Sequence, residues 1–216
     1  GTLGIALPIV LVLGSATQNA ELLPSISHFY HSSMKIIFTG VLFTIAAFFW
    51  TSNGEIPLEK WLNKIAALSA TLVALLPTKN QEKYFLKEGY NYTISDFNNF
   101  FCYSIRKPDS VGNVHLCCAA IFFICLISLI YFVFLPREKE SIEPNRLKVK
   151  LYKISWIGMT ISILLIMFLT SISVNSQKLP YTFILETIAL LLFGMAWITK
   201  GHSHENSLKR DSKFYE

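Results

Sequence analysis

From His115 to Leu135 the chain runs 21 residues without a formal charge (HLCCAAIFFICLISLIYFVFL). A hydrocarbon core about 30 Å thick needs roughly 20 mostly apolar residues at 1.5 Å rise each, so this stretch is long enough to cross a bilayer. Two further runs match it, 154–174 (ISWIGMTISILLIMFLTSISV) and 180–199 (PYTFILETIALLLFGMAWIT), and a shorter one covers 36–53. Weaker runs lie at 61–78, with Lys64 able to snorkel to the headgroups beneath Trp61, and at 1–17. The last begins at Gly1 and reads as a trimmed first helix or a processed end. A signal peptide would carry a basic leader, which the run lacks.

The expected fold is therefore all-α, a polytopic transmembrane helix bundle of six spans forming a single membrane domain over 1–216. Composition agrees: 15% of residues are charged and 52% hydrophobic, against about 25% charged in soluble domains. A β-barrel would alternate polarity in segments of about ten residues, and these runs are apolar all round. Repeats and low-complexity linkers are not evident. A P-loop, GxGxxG and GxSxG are also missing, so no soluble cofactor is expected.

Six spans leave both termini on one side. That side collects 12 Lys and Arg, including Arg137, Lys139, Arg146, Lys148, Lys150 and Lys153, and the other collects 7. The positive-inside rule puts the termini, with a tail over 200–216, in the cytoplasm. The net charge of +5 is then a topology signal with some attraction for anionic lipid rather than a nucleic-acid footprint. His202 and His204 read as solvated residues of the tail.

The longest polar piece is the outer loop 79–114. It holds Asp96, Cys102 and the Asn91-Tyr92-Thr93 triplet, a glycosylation sequon only in a lumenal, eukaryotic setting. Cys117, Cys118 and Cys125 lie in the fourth span. Buried free thiols are expected, with a Cys102–Cys117 disulfide as the alternative. Ala66, Ala70 and Ala74 recur every four residues, and Ser155, Gly158 and Ser162 share a face. Such small residues make packing seams between spans, or an oligomer interface.

Titratable groups concentrate near the outer ends of the spans. In Pro24–Lys35, Ser25 or Ser27 can cap a helix, and a helix starting there puts His28, His31 and Lys35 on one face. His115 opens the fourth span, and Glu186 sits six residues inside the sixth, roughly 9 Å down at helical rise. One topology delivers Ser27, His28, His31, His115 and Glu186 to the same membrane face, and the cytoplasmic half offers no comparable set. Such a mouth could hold a metal, a hydrolytic site or a proton path, or could serve structure and interface anchoring.

The patterns GxLGIxLPxxLxLG (Gly1–Gly14), SISxxYH (Ser25–His31) and FxGxLFxxAxFFW (Phe38–Trp50), with ALLPT at 74–78 and FGMAWITKG at 193–201, resemble a group of uncharacterised six-helix bacterial integral membrane proteins. That resemblance covers most of the chain and implies a fold and a bacterial inner-membrane location, with no activity. A more distant likeness is to the CREST hydrolases, the alkaline ceramidase and adiponectin receptor type. Ser27 and His31 have their Ser-x-x-x-His spacing. The likeness implies zinc and lipid amide cleavage, but those proteins have seven spans and a second His-x-x-x-His, where this chain offers Glu186.

Three functional readings follow. The leading one is a non-enzymatic membrane protein: a sensor, an assembly subunit or a binder of a lipid or small apolar ligand, as a monomer or homo-oligomer. The second is a zinc hydrolase acting on lipid amides or esters. It would use His28, His31 and His115 as ligands, Glu186 or Asp96 as general base and Ser27 to orient water. The third is a proton-coupled carrier working through Glu186.

Overall fold

The structure, a computed structural model, describes residues 1–17, 22–78, 108–172 and 180–213, without the side chains of 108–110 and 202–213. Among the described residues there are helices and no strands. Helix α1 spans Thr2–Thr17, a 3-10 turn spans Ile26–His31, and α2 spans Lys35–Thr51. Next come α3 (Pro57–Leu75) and α4 (Pro108–Ser128), a π-helical stretch Leu129–Phe134, and α5 (Leu135–Lys139). Helices α6 (Arg146–Ser171) and α7 (Tyr181–Lys213) complete the chain.

Among the described residues, three helical runs are long and apolar enough to cross a membrane: Val111–Lys139, Arg146–Ser171 and Tyr181–Gly201. On α6 only 17% of the apolar window is buried inside the protein. Ile154, Ile157, Ile161, Leu164 and Phe168 are each more than 40% exposed. An apolar face that broad is far from what a soluble monomer leaves to water and suits a lipid solvent.

The helix starts follow from capping. Asn145 begins α6 because its Oδ1 accepts from the N–H groups of Leu147 and Lys148 at 2.9 and 3.3 Å. The basic stretch 146–153, which immediately precedes the expected span 154–174, is thus its first two turns. Pro57 begins α3, where its missing N–H costs nothing, so the helix starts before the expected 61 and ends at Leu75. Helix α4 starts at Pro108, so 108–114, expected in the outer loop, is helical. Helix α7 runs on to Lys213, through most of the expected tail. The π-helical stretch sits just before Pro136, which cannot donate to the carbonyl four residues back and crowds it.

Neighbouring helices run antiparallel. Gly1 lies beside Ile198 and Gly4 beside Leu190, Glu59 meets Arg137, and Thr170 meets Tyr181. The bundle therefore has two ends: one carries the 3-10 turn, and the other carries Gly1, Glu59, Arg137 and Lys200. Its core runs between them through Leu11, Phe38, Phe49, Leu126, Ile130 and Ala189.

Both small-residue seams pack within the chain. Ala66, Ala70 and Ala74 are buried on α3, where α2 and α4 both pack against it. Ser155 and Ser162 are buried on α6, and a Cβ at Gly158 would come 2.6 Å from Leu192 Cδ1 on α7. At Gly194 a Cβ would sit 2.5 Å from Ile5 Cγ1 and 2.9 Å from the Gly1 carbonyl oxygen. Backbone cannot yield as a side-chain tip does. Gly194→Leu should therefore lower stability by about 1–3 kcal/mol, read as an earlier thermal transition in detergent, whereas Gly201→Leu, which meets nothing within 4 Å, should leave it unchanged.

Candidate functional site

The segment from Pro24 to His31 is not the start of α2. It is a separate 3-10 turn docked across the end of the bundle, and α2 begins only at Lys35. Phe29 anchors it, fully buried with its ring centroid 6.0 Å from that of Phe183. Two main-chain bonds tie the turn to α7: Phe183 N–H donates to the Pro24 carbonyl at 2.9 Å, and Ile26 N–H donates to Glu186 Oε2 at 2.7 Å.

Three side chains then close the end of α3. Tyr30 O–H donates to the Leu75 carbonyl at 3.1 Å, His115 Nδ1–H to that of Leu76 at 2.7 Å, and His31 Nε2–H to that of Thr78 at 2.9 Å. The last carbonyls of a helix have no intrahelical partner, and in an apolar setting each needs one. Of the expected metal ligands, His115 thus spends a ring nitrogen on the helix cap and His31 spends one on the segment just beyond it.

The 3-10 period also changes the pairing. Residues three apart eclipse on such a turn, so His28 pairs with Ser25, Nδ1 to Oγ at 2.6 Å. Ser25 makes no side-chain cap bond. Ser27, four residues from His31, lies half-buried on the turn. Lys35 places its Nζ 4.3 Å from the Tyr30 ring centroid.

The structure therefore brings Ser27, His28, His31, His115 and Glu186 to one end, as the spacing leads one to expect. It does not build the zinc set from them. Among the described residues no group of three His, Cys, Asp or Glu side chains is placed to hold a metal ion. Asp96, Cys102 and the Asn91 triplet lie outside the described residues. Cys118 and Cys125 are buried free thiols, whereas Cys117 is free and exposed. His202 and His204 lie on the extension of α7.

Two atoms stand out: Nε2 of His28 and Nε2 of His115 are buried and have no hydrogen-bond partner. A carbonyl only accepts, so His115 carries its proton on Nδ1, and in the neutral ring Nε2 is a bare acceptor. Burial holds the His28 imidazole well below 6.5, at about 4, and the charges of His31 and His115 push it the same way. Burial lowers His31 too, against its bond to Thr78, with Lys35 assisting.

The opposite end holds a second polar cluster, which the sequence reasoning missed. Glu59 is 1% exposed. It accepts from Arg137 Nη2 at 2.9 Å, from Lys200 Nζ, and from Glu55 N–H at 3.1 Å. The guanidinium also reaches Glu55 at 3.4 Å. Lys200 lies over the rings of Phe134 and Trp197, at 4.8 and 5.1 Å from their centroids. Lys64, expected beneath Trp61, instead donates to the Trp50 carbonyl and sits 4.4 Å from the Trp50 ring centroid. A carboxylate in the first turn of a helix opened by Pro57 was the available signal for Glu59. Its partners come from α5 and α7, far away in sequence.

No protein-family model, no curated protein and no solved structure matches the chain.

Two outcomes follow. An unfolded His28 takes up a proton near pH 6.5 and the folded one only near 4, so stability is complete above about pH 6.5 and falls as pH drops through that window. The melting temperature of the wild type should therefore drop more steeply than that of His28→Gln between about pH 7 and 4.5; parallel slopes would refute it. At the other end, Glu59→Gln leaves Arg137 and Lys200 without their shared carboxylate. It should cost about 3 kcal/mol by chemical denaturation in mixed micelles, with Glu55→Gln, whose side chain is 66% exposed, close to neutral.

Proposed function

We propose that this chain is a six-crossing integral membrane protein that binds a small hydroxyl- or amine-bearing molecule at the outer mouth of its bundle. The pair of buried, unpartnered Nε2 atoms on His28 and His115 carries this reading. Buried polar atoms are almost always satisfied, and an exception calls for a guest, whether water or ligand. A donor on that guest fits the bare acceptor of His115. Beside it the 3-10 turn closes the end of the bundle, held by Glu186 and by Phe29 against Phe183. Glu186 serves this reading as the anchor of the turn.

The crossing count rests on the alternating direction of α1, α2, α3, the α4–α5 run, α6 and α7. Helices of 16 to 19 residues reach roughly 24–29 Å at 1.5 Å per residue, which together with the interfacial turn matches a bilayer core. The excess of Lys and Arg at the Glu59 end favours that end facing the cytoplasm. The resemblance to six-helix bacterial proteins favours the inner membrane.

Single-cysteine variants at Ser33 and Ser141, in a background without native cysteines, should react with an impermeant maleimide from opposite sides of the membrane. Labelling from one side would remove an odd number of crossings from the proposal. For the site, the protein in nanodiscs is titrated with short alcohols and primary amines and followed by thermal shift. At least one compound should raise the transition in the wild type and fail to do so in His115→Leu. A shift that survives the substitution, or a panel that stabilises nothing, would overturn the site.

A further inference from the structure

Far from the histidine end, the core contains a cavity of about 150 Å³. Its walls include Phe48, Phe49, Phe122, Leu126, Phe193 and Trp197. The rings meet edge to face around it: Trp197 stands 5.2 Å from Phe49 and 5.5 Å from Phe48, and Phe49 stands 6.2 Å from Phe122, each pair near perpendicular. Helix α1 closes one side with its first turn, where Gly4 contributes only backbone. The rim residues Leu3 and Phe48 are 37% and 47% exposed. Both line the cavity, so it reaches the protein surface beside α1 and α2.

We propose that this cavity is a second binding site, for a single-ring apolar molecule that enters sideways from the bilayer. An apolar cavity of about 150 Å³ lined by Leu, Ile and Phe stays dry and takes benzene or xenon, and a protein interior otherwise closes such space. Aromatic walls favour a ring as guest, because edges and faces on several sides match its quadrupole in tilted arrangements. A full lipid chain is too large for the volume and would have to lie half outside it.

The wall also reaches the ion cluster. Trp197 is both a face of the cavity and a cation–π partner of Lys200, which pairs with Glu59. A guest here touches the ring on which that lysine rests, so occupancy stiffens the joint between α3 and α7.

The test uses bromobenzene and the fluorescence of Trp197, in full-length protein with Trp50, Trp61 and Trp156 changed to Phe, in phosphatidylcholine nanodiscs. Probe dissolved in the lipid quenches linearly with its concentration, whereas a bound probe adds a saturable component. Gly4→Leu fills the space with little obstruction, since a Cβ there meets nothing closer than the Leu190 carbonyl oxygen at 3.9 Å. The saturable component should be present with Gly4 and at least about tenfold weaker with Leu, while the thermal transition stays equal or rises. Purely linear quenching, or a saturable component unchanged in Gly4→Leu, would overturn the proposal. So would quenching by brominated-chain phosphatidylcholine that Gly4→Leu also removes, because it would assign the cavity to a lipid chain.

Discussion

Lipid offers no hydrogen bonds, and the ends of this bundle are built around that constraint. Wherever a helix stops, its last carbonyls or first N–H groups need partners from elsewhere in the chain. At the end of α3 they come from Tyr30 and His115, with His31 on the Thr78 carbonyl just beyond. At the start of α3, Glu59 accepts from the Glu55 N–H and gathers Arg137 and Lys200. At the break between α5 and α6, Glu138 accepts from Asn145 N–H while Asn145 caps the next helix. Polar residues in an apolar chain are costly, and these sit where helices begin or end.

The histidine cluster takes on a different meaning in this light. A concentration of imidazoles at a bundle mouth suggests a metal, yet two of these rings are committed to carbonyls and the third to Ser25. What remains open is narrower and more informative, namely two buried Nε2 atoms that the protein leaves unpaired. The 3-10 turn that carries His28 is held by bonds to α7, by Tyr30 and His31 against the segment at the end of α3, and by the buried ring of Phe29.

The two ends differ in electrostatic character. The Glu59 cluster combines one buried carboxylate with two cations that remain about a third exposed, so the cations can reach headgroups while the acid stays paired. The histidine end carries three imidazoles and an acid bonded to backbone. Toward the Glu59 end, beside Gly1 and Trp197, the core holds a cavity walled largely by Phe and Trp.

Hydrophobic run length by itself determined the class of this protein and the approximate position of each helix, because crossing a bilayer fixes length and composition together. The same spacing brought Ser27, His28, His31, His115 and Glu186 to one end, since alternating helix directions leave little freedom. Helix boundaries were less legible. Asn145 and Pro57 are start signals that the apolar runs alone do not register. The tertiary structure decided the rest. A helical period was read through Pro24–Lys35, but docking of Phe29 and the bonds to α7 hold it as a 3-10 turn, so His28 Nδ1 pairs with Ser25 one 3-10 turn away. The Glu59 cluster joins residues up to 141 positions apart, and no local pattern encodes such a pairing. It exists because packing brings the start of α3, the end of the α4–α5 run and the middle of α7 to the same place.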